Sequence, residues 1–370
     1  MNKARVSLIA AFGFAAAVLA GCAAQSSLMM IGNHTDPKFV YVSNEFSNDV
    51  SAYNMDLTSG VLTPVAGSPF GGGTSPRGIA GTPCQKFLYM ANTSSNDISA
   101  YSINATSGGL STVPGSPFAA GTGPQGVAIS CVGFVYVAND GSNDVHAYSF
   151  DANTGALTPV PGSPFPAGSL ARSPAVHPTG KFLYVTNRGD NNVSAYTIAA
   201  NGSLSAVPGS PFATGTRPFN VAIDLTGRFL YVSNHLDDNV SAYAIDGTTG
   251  ALTPVPGSPF GSGSQPHGLK VDCTGKFLYV ANHGSGDISA YSINLTSGAL
   301  TPVGGSPFAA GSGPFGLNLE LTGKLFVANN NDGTVSAYTI DANSGVLTPV
   351  PGSPFTGGSG PHEIAIVHEP

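Results

Sequence analysis

The sequence predicts an all-β fold: a seven-bladed β-propeller with four antiparallel strands in each blade. Two observations carry that reading. The heptad "PVPGSPF" stands at Pro159–Phe165, Pro254–Phe260 and Pro349–Phe355, and near-copies end at Phe70, Phe118, Phe212 and Phe308. The intervals between these phenylalanines are 48, 47, 47, 48, 48 and 47 residues, a period in the range of a propeller blade. Composition agrees: Gly 49 and Pro 29 in 370 residues, with 9% charged and 41% hydrophobic, favour many turns and short strands and argue against disorder.

The N-terminus reads as a separate unit. Lys3 and Arg5 precede an apolar run, Val6 to Leu19, too short to span a bilayer comfortably. Leu19-Ala20-Gly21-Cys22 then resembles a bacterial lipoprotein signal; the alternative is an ordinary secretory signal with an incidental cysteine. We expect residues 1–21 to be the signal peptide, 22–37 a tether and 38–370 the propeller. Cleavage before Cys22 would remove two cations and move the net charge from −7 to −9. Lipid on that thiol would be the only membrane attachment, and the location would be exported, facing periplasm or cell exterior. In such a compartment Cys84 and Cys131, nearly equivalent in consecutive repeats, could pair. The reading adopted is that they and Cys273 are small buried residues.

Within each repeat four runs recur. In the fourth unit they are "PAVH" (Pro174–His177), "KFLYVTN" (Lys181–Asn187), "NVSAYTI" (Asn192–Ile198) and "LSAVPGSPF" (Leu204–Phe212). We label them strands a to d, from the pore outward. Proline cannot donate to a ladder and is confined to edges, strand starts and bulges. Pro64, Pro159, Pro254, Pro302 and Pro349 accordingly fall in the outermost strand, where they also discourage edge-to-edge association. The heptad is therefore architecture, its phenylalanine a plug between blades. The first unit begins at strand b (Lys38–Asn44), while an extra strand a (Pro361–Val367) follows the last. Seven complete sheets result only if that C-terminal strand joins the N-terminal three. A closed ring needs no polar end caps, unlike an open solenoid, and it favours a monomer.

"YVTN" at Tyr184–Asn187, with YVSN at Tyr41–Asn44 and Tyr231–Asn234 and YVAN at Tyr136–Asn139 and Tyr279–Asn282, resembles the YVTN-type propellers and the related seven-bladed, 6-phosphogluconolactonase-like lactonase family. The resemblance covers essentially the whole chain after the leader.

What recurs in every blade is scaffold, so function is sought where the copies differ. Two variable positions converge on one mouth of the channel. After the loop proline stand Arg77, Gln125, Ala175, Phe219, His267, Phe315 and His362; after the strand-b asparagine stand Glu45, Thr93, Asp140, Arg188, His235, His283 and Asn330. Arg172 and Arg217 read as loop residues of the same mouth, whereas Lys38, Lys86, Lys181, Arg228, Lys276 and Lys324 read as a solvated rim at the other end. Lys270 alone among the cations falls within strand a. Imidazoles can move protons near neutral pH, a carboxylate such as Glu45, Asp140 or Glu363 can activate water, and guanidinium can hold an anion bidentately. Arg188, His235, His283, His362, Glu363 and Asp140 are thus candidate substrate contacts. No three histidines have a diagnostic metal spacing, no GxSxG, Walker or HExxH motif occurs, and the acidic balance supplies no field for nucleic acid. Neither a metal nor a cofactor is expected.

The lactonase resemblance implies a ring-opening hydrolase with Arg, His and Glu in the channel. Asn44-Glu45 is similar to the family's Asn-Glu, Pro76-Arg77 to its Pro-Arg and Pro266-His267-Gly268 to its Pro-His-Gly, which implies Glu45, Arg77 and His267 as catalytic residues acting on a small lactone or carboxylate. The family carries Pro-Arg-His and Asn-Glu on one blade; here Arg77 lies one blade from Glu45, whose own blade receives Pro361-His362-Glu363. The competing reading is a non-catalytic binding or cell-surface module, because near-identical blades equally suit a rigid scaffold.

Overall fold

The computed structural model describes residues 38–368; the signal, the tether and Cys22 lie outside the described residues. Every described element is a strand, and seven antiparallel sheets are formed. The second blade shows the pattern: strand a Pro76–Gly81, b Phe87–Asn92, c Asp97–Ile103 and d Leu110–Thr112. Strand d is broken, its second piece (Phe118–Ala119) pairing with the start of strand c. The ring closes as expected: Pro361–Val367 pairs antiparallel with Lys38–Asn44, Tyr41 facing Ala365.

The core lies between blades, not within them. Seven apolar clusters each join two neighbouring blades. Strand b is sandwiched on both faces, so all six residues of Phe182–Asn187 are buried; this is why it reads as a continuous apolar run, not an alternating one. Strand d buries only its leucine, as in Leu204–Ala206.

The repeated letters now have physical roles. The YVTN tyrosine donates its hydroxyl to a glycine carbonyl of the next blade, as Tyr184 does to Gly250 at 2.9 Å. The strand-c tyrosine reaches the opposite way, Tyr196 to Pro166 O at 2.7 Å. Each such buried bond contributes about 0.5–1.5 kcal/mol. The YVTN asparagine closes the b–c hairpin, Asn282 Nδ2 donating to Asp287 Oδ1 at 2.6 Å. The heptad serine accepts from strand c, Ala195 N to Ser210 Oγ at 2.8 Å, bridging the break in strand d. Phe70, Phe165 and their equivalents pack against the inter-blade clusters.

One seam differs. Six blades make the forward tyrosine bond, but blade seven has Phe326 at that position. The strand-b phenylalanine is also replaced there, and the stem of Lys324 lies against Gly60 of the first blade. Lys324 is therefore buried and donates to Thr339 Oγ1 at 3.0 Å, a correction to its assignment to the solvated rim.

Two further expectations change. Strand a of the fourth blade spans Ala171–Val176, with Ala171 facing Asn187, so it begins three residues before Pro174. Cys84 and Cys273 are free thiols, as the adopted reading has it, but both are half-buried and not fully buried.

Gly250 tests the seam packing. Its φ is +78° and an added Cβ would lie 2.5 Å from the Phe182 ring. Left-handed backbone and overpacking each cost about 1–3 kcal/mol, so Gly250→Ala should destabilise by roughly 2–6 kcal/mol, read as a lower urea midpoint at unchanged slope.

Candidate functional site

Strand a has only one partner, so its free edge faces the pore. Just after its first residue the register shifts: Pro76 faces Asn92 but Ile79 faces Met90, leaving two residues opposite one. Such a bulge re-aims a side chain, and its recurrence in the other blades directs the residue after the proline towards the axis.

These residues form a belt. Arg77 donates from Nε (3.1 Å) and Nη2 (2.6 Å) to Glu45 Oε1, and from Nη1 to Gln125 Oε1 at 2.7 Å. Gln125 Oε1 also accepts from Arg172 Nη1 at 3.0 Å. The Arg172 guanidinium lies 3.6 Å over the Phe219 ring, which stacks on His267 at 3.8 Å. Phe315 meets His267 edge-on at 4.3 Å and His362 at 4.0 Å. Contacts thus run from blade one round to blade seven and back.

Most of the residues expected at the mouth are brought together. His267 Nε2 is 3.0 Å from His235 Nδ1, and the His283 ring lies 4.7 Å from that of His267. Asp140 pairs with Arg188 at 3.7 Å. Two placements are corrected. The fourth blade contributes Arg172, not Ala175, and Arg172 is a strand residue only 5% exposed. Glu363 points past the belt, where Asn220 Nδ2 lies 3.5 Å from its Oε1.

Behind the belt is a chamber of about 550 Å³. Arg172, Gln125, Phe219 and His362 form its roof and the strand-a walls its sides, while Pro178 and Leu225 stand at the far end. Sequence reading missed this space, because the glycines and alanines that line it look like filler.

A family model described as "Lactonase, 7-bladed beta-propeller" matches residues 16–123, 110–263 and 256–360. The chain belongs to the seven-bladed β-propeller lactonase family. No curated protein matches the sequence. Among solved structures, this lactonase-family ring is similar to a putative 6-phosphogluconolactonase from Bacteroides uniformis, at 17% identity and TM-score 0.78, covering 90% of this chain and 100% of that one. The periplasmic gluconolactonase PpgL of Pseudomonas aeruginosa aligns at 20% identity and TM-score 0.76, covering 90% and 100%. A Lactobacillus plantarum protein does so at 20% and 0.75, with the same coverage.

The electrostatics of the lactonase-family belt follow from desolvation beside cations. Burial, reinforced by Arg217, His283, Arg172 and Arg188, pushes His235 down to about 4. Burial also holds His267 and His362 well below the usual 6.5, with Arg172 adding to both, and lowers His283. All four imidazoles are neutral at pH 7. Arg172 is itself held below the usual guanidinium range, by burial first and then by Arg77 and Arg188. Glu363 meets the chamber with part of its surface, yet desolvation pushes its carboxyl up to about 7.

A stability profile follows. The unfolded chain protonates these imidazoles near 6.5 and the folded chain does so only at lower pH, so stability present above pH 6.5 is lost as pH falls towards 4. Glu363 acts with opposite sign, its contribution present below 4.5 and lost as pH rises through about 7. Four groups outweigh one. Tm should therefore fall on acidification from pH 6.5 to 4, and His362→Phe should flatten that slope.

Proposed function

We propose that this protein hydrolyses a small lactone at the mouth side of the belt. The observation that carries this is that the three residues matching the family motifs each keep an open valence while held in place. Glu45 takes both Arg77 bonds on Oε1, leaving Oε2 for a water molecule. Arg77 uses three of its N–H donors on Glu45 and Gln125, leaving two of five for a carbonyl or carboxylate oxygen. His267 makes no hydrogen bond through Nδ1 and meets His235 through Nε2.

In this mechanism Glu45 Oε2 accepts a proton as water oxygen bonds to the lactone carbonyl carbon. Arg77 stabilises the oxyanion that forms. The ring C–O bond then breaks, and the proton held by Glu45 returns through water and the His235–His267 pair to the leaving oxygen, giving a hydroxy acid. Arg188, His283 and Asp140 would contact the rest of the substrate; His362 and Glu363 instead line the chamber behind the belt. Neutral imidazoles suit this relay, since they can accept a proton without first losing one.

Support for hydrolysis comes from family membership and from this arrangement of open valences. We also propose export as a lipoprotein through Cys22, consistent with the periplasmic location in the name of the Pseudomonas relative. The test is turnover of a panel of γ- and δ-lactones by residues 38–370, followed by acid release. Opening above the uncatalysed rate is expected. No turnover across the panel would leave the second reading, a binding or cell-surface module, which the mutual pairing of Glu45, Arg77, Gln125 and Arg172 also suits.

A further inference from the structure

We propose that the chamber behind the belt is a second binding site, separate from the mouth, for a small hydroxylated carboxylate entering from the end where strands a and b are joined. The proposal does not depend on the lactone-opening reading.

The first observation is a break in the pattern of the strand-a walls. At one pore-facing level five blades place alanine, such as Ala80 and Ala128, but blades six and seven place Lys270 and Asn318. Lys270 is an exposed cation on the chamber wall, a position no scaffold role accounts for. Asn318 anchors its amide nitrogen on Ile364 O at 3.0 Å.

One level nearer the belt four blades have glycine and three have Ser173, Asn220 and Glu363. An added Cβ on Gly316 would lie 2.6 Å from Glu363 Oε2, so the glutamate occupies space that a side chain there would fill. Ser173 Oγ donates to Asn220 Oδ1 at 3.1 Å, and Asn220 Nδ2 approaches Glu363. Hydroxyl, amide and carboxyl groups thus form one arc across the chamber.

The second observation is His362. It is 3% exposed, lines the chamber roof, and neither ring nitrogen has a hydrogen-bond partner. Leaving such buried groups unpaired is unfavourable, a deficit that a polar ligand would remove.

Together these select the ligand. Lys270 and the Arg172 guanidinium supply two cations against the single carboxyl of Glu363, a net charge of +1 when that carboxyl is ionised, so a monoanion fits. The arc and the free edges of strand a offer donors and acceptors in alternation, which hydroxyl groups match. A volume of about 550 Å³ suits a small molecule, and the far end, with Leu225 58% exposed, opens to solvent.

The test uses the absence of tryptophan from the chain. Leu225→Trp places a single reporter at the far opening, and Phe46→Trp one at the mouth, both at exposed positions. On titration with sodium gluconate the first reporter should respond and the second should not. Lys270→Ala in the Leu225→Trp background should weaken the response at least tenfold, with the melting temperature unchanged, and glucose should give none. A response at Phe46→Trp alone, no response at either, or full affinity with Lys270→Ala would overturn the proposal. Lactone turnover of the same variants separates the two readings, because binding here and catalysis at the mouth can each fail alone.

Discussion

Arg77→Ala is expected to lower kcat/KM for lactone opening by about 100- to 1000-fold, the range for deleting one donor to a developing oxyanion. The loss should fall mainly in kcat, because the proposed contact strengthens as charge moves onto oxygen. Arg77→Lys should recover little, since an ammonium cannot hold Glu45 Oε1, Gln125 Oε1 and substrate in one planar fork. Glu45→Gln should lose comparable activity while keeping the polar contact with Arg77. His267→Phe should preserve stacking on Phe219 and remove the relay to His235. Activity within twofold of wild type in all of them, with lactone turnover intact, would rule out this assignment.

Removing residues 361–370 should abolish the cooperative fold. Strand Pro361–Val367 supplies Ile364 to one inter-blade cluster and Ala365 and Val367 to the next. Its main chain also accepts from Asn330 Nδ2 at 3.1 Å and donates to Ser43 Oγ at 3.2 Å. Burying one Ile or Val side chain contributes about 1.5–3 kcal/mol and each ladder bond about 0.5–1.5. Their sum approaches the roughly 5–15 kcal/mol that holds a domain together. The expected signature is loss of the thermal transition and of size-exclusion homogeneity, with partial recovery on adding a peptide of residues 361–370. A truncated chain that melts as the intact one does would show that closure is dispensable.

The ring was legible because each blade restates the same constraints. Asn187, Ser210 and Phe212 recur in every blade and Tyr184 in six of seven, since a seam is held by a hydroxyl donor, a hairpin clamp, a bridge and a plug. The belt was legible as variation between copies: Glu45 meets Arg77 on one side of it and His267 meets His235 on the other. It was misread where a copy had drifted. In "LARSPAVHP" the opening proline is replaced by Ala171 and another stands at Pro174, so the frame slipped by three residues and Arg172 passed for a loop residue. Lys324 misled for a related reason: an ordinary strand-start lysine is exposed, but here it replaces a phenylalanine and its stem fills the seam. The chamber escaped because its information lies in small residues, whose meaning is the space they leave.

The odd seam between blades seven and one has a mechanical consequence. Phe326 offers no hydroxyl to the neighbouring carbonyl, and a lysine stem replaces an aromatic ring beside Gly60. A ring under thermal agitation parts first where its staples are fewest. Amide protons flanking that joint should exchange with deuterium sooner than their counterparts elsewhere, making it the hinge about which the circle breathes.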